Sequence, residues 1–205
     1  PIPGGCKLGT RPLDAFRSNM EMLGAKYRRE KGYYIEGGNL KGGKIWSWFP
    51  SVTGTENLVM LAVLTPGVTE IYNAAAEPHT QDLCNMLIAM GAKIEGVGSN
   101  RLTIEGVDKL KGTELTVIPD HLDIGAYIAA AALTGGEITI KDAIPEHMQY
   151  IIQAFEKVGV KVEVKGNDLF VGKEQKLKCE TTVRGDIYEI FAMPWPGLPI
   201  DFMQI

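Results

Sequence analysis

Cys6 stands in the segment Pro3-Gly-Gly-Cys-Lys-Leu-Gly-Thr-Arg-Pro-Leu-Asp14, with Lys7 beside it and Arg11 just ahead of a proline-initiated helix. Nearby cations and a helix N-terminus favour the thiolate over the thiol. The same two features suit an anion, phosphate above all, because guanidinium and free backbone N–H groups converge on it. The residues therefore point to a reactive cysteine at the edge of an anion site; an ordinary free thiol is the plain alternative. Cys84 falls on the helical face of Leu87 and reads as core. His79 and His147 each follow a helix-start proline, which suggests capping or solvent exposure. No carboxylate–histidine spacing for a metal accompanies them. Lys26, Arg28, Arg29 and Lys31 alternate along a strand and read as a solvated edge.

The elements that must carry these residues are organised by a repeat. Gly24, Gly91 and Gly159 close three similar segments at steps of 67 and 68 residues. Pro12, Pro78 and Pro145 precede them at steps of 66 and 67, and Leu40-Lys41-Gly42 returns as Leu110-Lys111-Gly112. A second proline set is Pro50, Pro119 and Pro199. In the middle copy, Leu83, Met86, Leu87 and Met90 have helical spacing after Pro78, and Gly91 is a stop. Strands are expected from Lys93, from Leu102 and over Leu115–Ile118. A second helix is expected from Pro119 to Leu133, and a last strand over Glu137–Lys141. The unit is helix, three strands, helix, strand, an α/β (α+β) pattern. The third copy stops at Ile205, where its second helix is due, which predicts a piece of a longer repeat protein.

Composition narrows the function. Of 205 residues, 45% are hydrophobic and 22% charged, ordinary for a folded chain. The 21 basic and 25 acidic residues give a net charge of −4, which speaks against a nucleic-acid binder but leaves room for a locally basic pocket. The longest apolar run, Ala126–Leu133, is far short of a membrane span, and no signal-like segment opens the chain. Cys6, Cys84 and Cys179 are scattered, which fits a reducing, cytoplasmic setting and no zinc spacing.

The Gly4-Gly5-Cys6 loop with Gly9-Thr-Arg11-Pro-Leu-Asp14 resembles the active-site loop of the enolpyruvyl transferase family, in its branch acting on UDP-N-acetylglucosamine. Ser51-Val-Thr-Gly-Thr-Glu-Asn57, Asn73-Ala-Ala-Ala-Glu-Pro78, Met90-Gly-Ala-Lys-Ile94, Leu102-Thr-Ile-Glu-Gly-Val107 and Pro199-Ile-Asp201 carry the likeness along the chain. The resemblance implies six such units in two domains, each an inside-out α/β barrel, of which this chain would hold an incomplete part. Residues 1–118 would belong to one domain and 119–205 to the other. It implies transfer of the enolpyruvyl group of phosphoenolpyruvate to the 3-hydroxyl of UDP-N-acetylglucosamine, the first committed step of peptidoglycan synthesis, with no metal or cofactor. On this reading Cys6 is the general acid and the target of fosfomycin, and Asp201 the base near the sugar hydroxyl. Arg11 binds phosphate, while Pro12, Leu13, Asp14 and Ala15 lie beside the uracil. Ser51, Val52 and Thr53 form the diphosphate turn. Thr53-Gly54 departs from the usual Gly-Ala, Phe16 from a frequent His, and His121 and Asp123 from a common Arg and Glu. The shikimate-pathway relatives share the fold but lack the cysteine, and a non-catalytic repeat module on the same scaffold is a further alternative. The resemblance also implies that substrate groups outside these 205 residues are needed for turnover.

Overall fold

The computed structural model describes residues 13–30 and 32–204. Contacts divide the chain into two units, Pro1–Thr116 and Val117–Ile205.

The first unit begins with α1 (Asp14–Met22), a hairpin of β1 (Lys26–Arg29) and β2 (Tyr33–Glu36), then β3 (Lys44–Trp46), α2 (Val52–Ala62) and β4 (Val68–Tyr72). It continues with α3 (Pro78–Ala89), β5 (Lys93–Glu95) and β6 (Arg101–Glu105). The second unit holds α4 (His121–Thr134), β7 (Ile138–Ile140), α5 (Pro145–Lys157), β8 (Glu163–Lys165), β9 (Asp168–Val171) and a 3-10 turn, Ile200–Gln204. Among the described residues three sheets result, none of them closed: β1-β2, β3-β4-β6-β5 and β7-β9-β8. Strands β3 and β4 run parallel, joined through α2.

The repeat glycines explain why the copies look alike. Gly24, Gly91 and Gly159 have φ of 95°, 105° and 84°, a region open to glycine at little cost. That turn lets Ala25, Ala92 and Val160 donate their N–H groups back to Met20, Leu87 and Phe155, capping the last helical carbonyls. The chain then leaves, and a later residue returns to the same place. Lys41 donates to the Leu23 carbonyl, Lys111 to Met90 and Lys178 to Val158. Beside Gly24 the returning chain comes so near that a Cβ would lie 2.5 Å from the Asn39 carbonyl oxygen. A second repeated feature follows the last strand. Asn73 and Asp142 both have positive φ, and the next residue, Ala74 or Ala143, donates to the carbonyl of Asn100 or Asn167.

Alternation along the strands sorts the faces of the four-stranded sheet. Ile45, Ile71, Leu102 and Ile104 point inward and pack with Leu23, Leu58, Val59 and Cys84. Outward, Trp46 stacks on Tyr72 with ring centroids 4.3 Å apart, and Arg101 lies over the Tyr72 ring at 4.9 Å. Glu70 joins this face to Arg101 at 2.6 Å and Lys44 at 3.3 Å. The second unit packs Ile124, Ile128, Met148, Ile151, Leu169 and Val171 around its own core.

Two expectations need correction. Leu115–Ile118 forms no strand. Its counterpart β3 has β4 as a ladder partner, whereas among the described residues β7 pairs with β9 alone. The segment is where the chain passes from one unit to the other, and Val117 stays 76% exposed. Alternating residues without a partner edge do not make a strand. The other correction concerns the third copy, whose expected helix start is a 3-10 turn.

That turn is held from both sides, since Leu198 and Phe202 are buried in the core of the second unit. The Phe202 ring occupies the space a side chain would need at Gly125 in the middle of α4. Gly125→Ala is therefore expected to destabilise this unit by about 1–3 kcal/mol, the usual cost of overpacking, seen as a lowered midpoint in thermal or denaturant unfolding.

Candidate active site

Ser51 caps α2 with extended backbone (φ −74°, ψ 122°), and its Oγ accepts the Gly54 N–H at 3.1 Å. Such a cap holds one of the four N–H groups that a helix start leaves without an intrahelical acceptor. A Cβ at Gly54 would press against the Ser51 side chain at 3.1 Å, so glycine suits the tightness of this turn. Val52 and Thr53 follow in the first turn, whose N–H groups point out of the helix end and favour an anion. Thr53 is exposed, and its carbonyl accepts from the Asn57 side chain.

Leu13 occupies the N-cap position of α1, half-buried, and its carbonyl accepts the Arg17 N–H at 2.9 Å. Asp14 is the exposed first residue of the helix, where a negative charge is favourable, and Ala15 follows it. Helices α1 and α2 pack against each other, so the structure carries Leu13, Asp14, Ala15, Ser51, Val52 and Thr53 on two neighbouring helices of the first unit. Cys6, Arg11 and Pro12 lie outside the described residues. Asp201 belongs to the second unit, exposed on the 3-10 turn between the buried Leu198 and Phe202. Its carboxylate thus reaches solvent from an anchored backbone.

Several groups near these elements escaped the sequence reading. Asn19 on α1 and Ser47 after β3 are buried and hydrogen-bonded to each other at 3.1 Å. Between α2 and α3, burial raises the Glu56 carboxyl above the ordinary range; His79 and the Thr80 hydroxyl oppose this, and Glu77 adds to it. The Glu77 Oε2 atom is buried without a hydrogen-bond partner. No group of three or more potential ligands suited to a metal ion occurs among the described residues, and no helix there is long and apolar enough to cross a membrane.

His147 corrects another expectation. His79 is exposed, but His147 is half-buried with its ring edge-on to Trp195 at 5.9 Å. His121, at the start of α4, meets the same indole at 5.9 Å. Trp195 thus packs between two imidazoles a few residues before Asp201. Burial lowers the His147 pKa, and the neighbouring Glu146 only partly offsets this. The unfolded chain then takes up a proton at His147 more readily than the folded one. Stability is expected to fall as pH drops below about 6.5, and His147→Phe should flatten that part of an unfolding-versus-pH profile.

The Cys84 thiol is pushed up to about 11, first by burial and then by Glu56. Cys179 is exposed. Iodoacetamide at about pH 8 is expected to label Cys179 in the folded chain and to reach Cys84 only after unfolding, as peptide mass mapping would show.

The chain is similar to known proteins in sequence and in fold. The family model described as EPSP synthase (3-phosphoshikimate 1-carboxyvinyltransferase) matches residues 1–204. A protein of Bacteroides thetaiotaomicron named UDP-N-acetylglucosamine 1-carboxyvinyltransferase is 44% identical over 99% of the chain. Proteins of the same name from Porphyromonas gingivalis and Borreliella burgdorferi are 43% and 42% identical over its full length. The chain spans about half (48%) of the length of each of these relatives. In fold, it is similar to the enolpyruvyl transferase NikO from Streptomyces tendae, with TM-score 0.70 and 19% identity over 80% of this chain and 43% of that one. EPSP synthase from Acinetobacter baumannii gives TM-score 0.63 and 21% identity over 87% of this chain and 43% of its own. The open sheets and the five α-helices among the described residues are an incomplete form of that inside-out α/β fold.

Proposed function

The chain belongs to the EPSP synthase family, and from that premise we propose that it is part of an enzyme transferring the enolpyruvyl group of phosphoenolpyruvate to the 3-hydroxyl of UDP-N-acetylglucosamine. The observation that carries this reading is the 42–46% identity, over essentially the whole chain, to proteins named for a carboxyvinyl transfer to that sugar nucleotide. The product would feed peptidoglycan synthesis.

The chemistry assigns roles to the residues. Bond formation at the enol carbon requires a proton on the adjacent methylene and removal of the proton from the sugar hydroxyl; loss of phosphate from the resulting tetrahedral adduct then takes a proton back from the new methyl group and re-forms the double bond. Cys6, which must hold its proton at the transfer step although the cations beside it favour the thiolate, is the proposed donor to the methylene, and Asp201 the proposed acceptor from the hydroxyl. Arg11 neutralises the phosphate that leaves. The first turn of α2, Ser51 to Thr53, receives the diphosphate on its N–H groups, and Leu13 to Ala15, with Pro12, flank the uracil. Cys6 and Asp201 fall in separate units, 1–118 and 119–205 in the proposed domain division. Turnover then requires both domains, with the rest of each present.

The test is phosphate release in a protein of the relatives' length that carries these 205 residues. Release is expected only with both substrates. Cys6→Ala and Asp201→Asn should each lower kcat by roughly 10²–10⁴, the range of general acid–base catalysis. The 205-residue chain alone should show negligible turnover. Fosfomycin should label Cys6 in the longer protein. Undiminished transfer by Cys6→Ala would sink the assigned role, and transfer to shikimate 3-phosphate instead of the sugar nucleotide would move the protein to the other branch of its family.

A further inference from the structure

We propose that Asn19 and Ser47 are a positioning pair that fixes the spacing between the uracil segment on α1 and the diphosphate turn on α2; the assignment rests on the sugar-nucleotide reading above. Asn19 lies five residues past Asp14 on the same helix, and Ser47 lies four residues before Ser51. The Asn19 Nδ2 group donates to Ser47 Oγ at 3.1 Å, across 28 residues of sequence. The two residues are only 5% and 6% exposed.

Ser47 is itself held on its other sides. Its N–H donates to the Tyr72 carbonyl at 3.0 Å, and its carbonyl accepts from the Asn73 side chain at 3.0 Å. Asn73 can do so because it sits at φ 58°, where asparagine is tolerated. Two residues on, the Ala75 N–H donates to the buried Thr55 hydroxyl at 2.9 Å, inside the first half of α2. A polar frame therefore runs from α1 through residue 47 and residues 73–75 into α2. Asn19–Ser47 is the link in it formed by two side chains.

The repeat provides an internal comparison. Counted five residues back from Gly24, Gly91 and Gly159, the position of Asn19 is Met86 in the second copy and Ala154 in the third. Counted three back from Pro50, Pro119 and Pro199, Ser47 corresponds to Thr116 and Pro196. The helical position takes apolar side chains in the other copies, so helix packing does not demand an amide there. Burying an amide and a hydroxyl is unfavourable unless they meet, and when they meet they fix a direction and a distance that apolar packing leaves loose. The copy that has this pair is the copy that carries both proposed nucleotide-binding segments.

The expected signature is selective. A ligand that spans both helices feels their spacing, as a linked pair of binding groups does; a small ion held at one point does not. In the protein of the relatives' length, Asn19→Ala and Ser47→Val should each raise KM for UDP-N-acetylglucosamine about tenfold. KM for phosphoenolpyruvate should change less than threefold and kcat less than twofold. Ser47→Thr, nearly the shape of Ser47→Val but with the hydroxyl retained, should restore KM to within about twofold of the unsubstituted protein. Adding Asn19→Ala to Ser47→Val should have less than a twofold further effect, because the two share one interaction. Equal KM values for the Ser47→Val and Ser47→Thr proteins, multiplicative effects in the double variant, or a parallel rise in both KM values with a lowered melting temperature would each overturn the assignment. An unsubstituted protein that does not bind UDP-N-acetylglucosamine would instead overturn the underlying reading, and this assignment with it.

Discussion

Three times in this chain a helix must stop, and the backbone must turn sharply enough to start a strand while leaving room for another segment to come back alongside. A residue at positive φ meets that demand, and glycine meets it at the least cost. Gly24, Gly91 and Gly159 occupy the point, and the hydrogen bonds around them recur almost atom for atom. Everything downstream inherits its place from this turn: the strand that follows, the later lysine that returns to the helix end, and through it the entry into the next strand or helix. The site elements hang on the same frame. The start of α2 is reached from β3, whose approach begins where Lys41 bonds to Leu23.

Legibility in the sequence followed the same physics. Glycine, proline and apolar spacing report local backbone demands, so the helices and most strands of the three copies could be read directly. Leu115–Ile118 could not, because its alternation is that of a strand while strand formation depends on a distant edge that is not offered to it. His147 differs from its sequence pattern for a related reason. Its place one turn into a helix suggests exposure, and only the folding of the Trp195 loop over it decides otherwise. The Asn19–Ser47 bond joins residues with no motif of their own. The signal that could have found it was a polar residue at a helix position where the sister copies have Met86 and Ala154. The roles proposed for Cys6 and Asp201 rest on family resemblance, since a thiol and a carboxylate 195 positions apart state no relation of their own.

Charge is distributed to match these tasks. The outer face of the four-stranded sheet is closed by Glu70 with Lys44 and Arg101, exposed pairs whose energetic value is small and whose effect is to keep an aromatic-bearing surface polar. Glu56, one turn into α2, is partly buried, and its carboxyl is held above the ordinary range.

The placement of the three indoles has an optical consequence. Trp46 lies against a tyrosine ring, Trp48 is almost wholly in water, and both belong to the first unit. Trp195 is the sole indole of the second unit and rests between two imidazoles. Replacing Trp46 and Trp48 by phenylalanine would leave a chromophore whose emission reports on the second unit alone, from within six residues of the proposed base. The molecule therefore carries its own spectroscopic label in the loop that leads to Asp201.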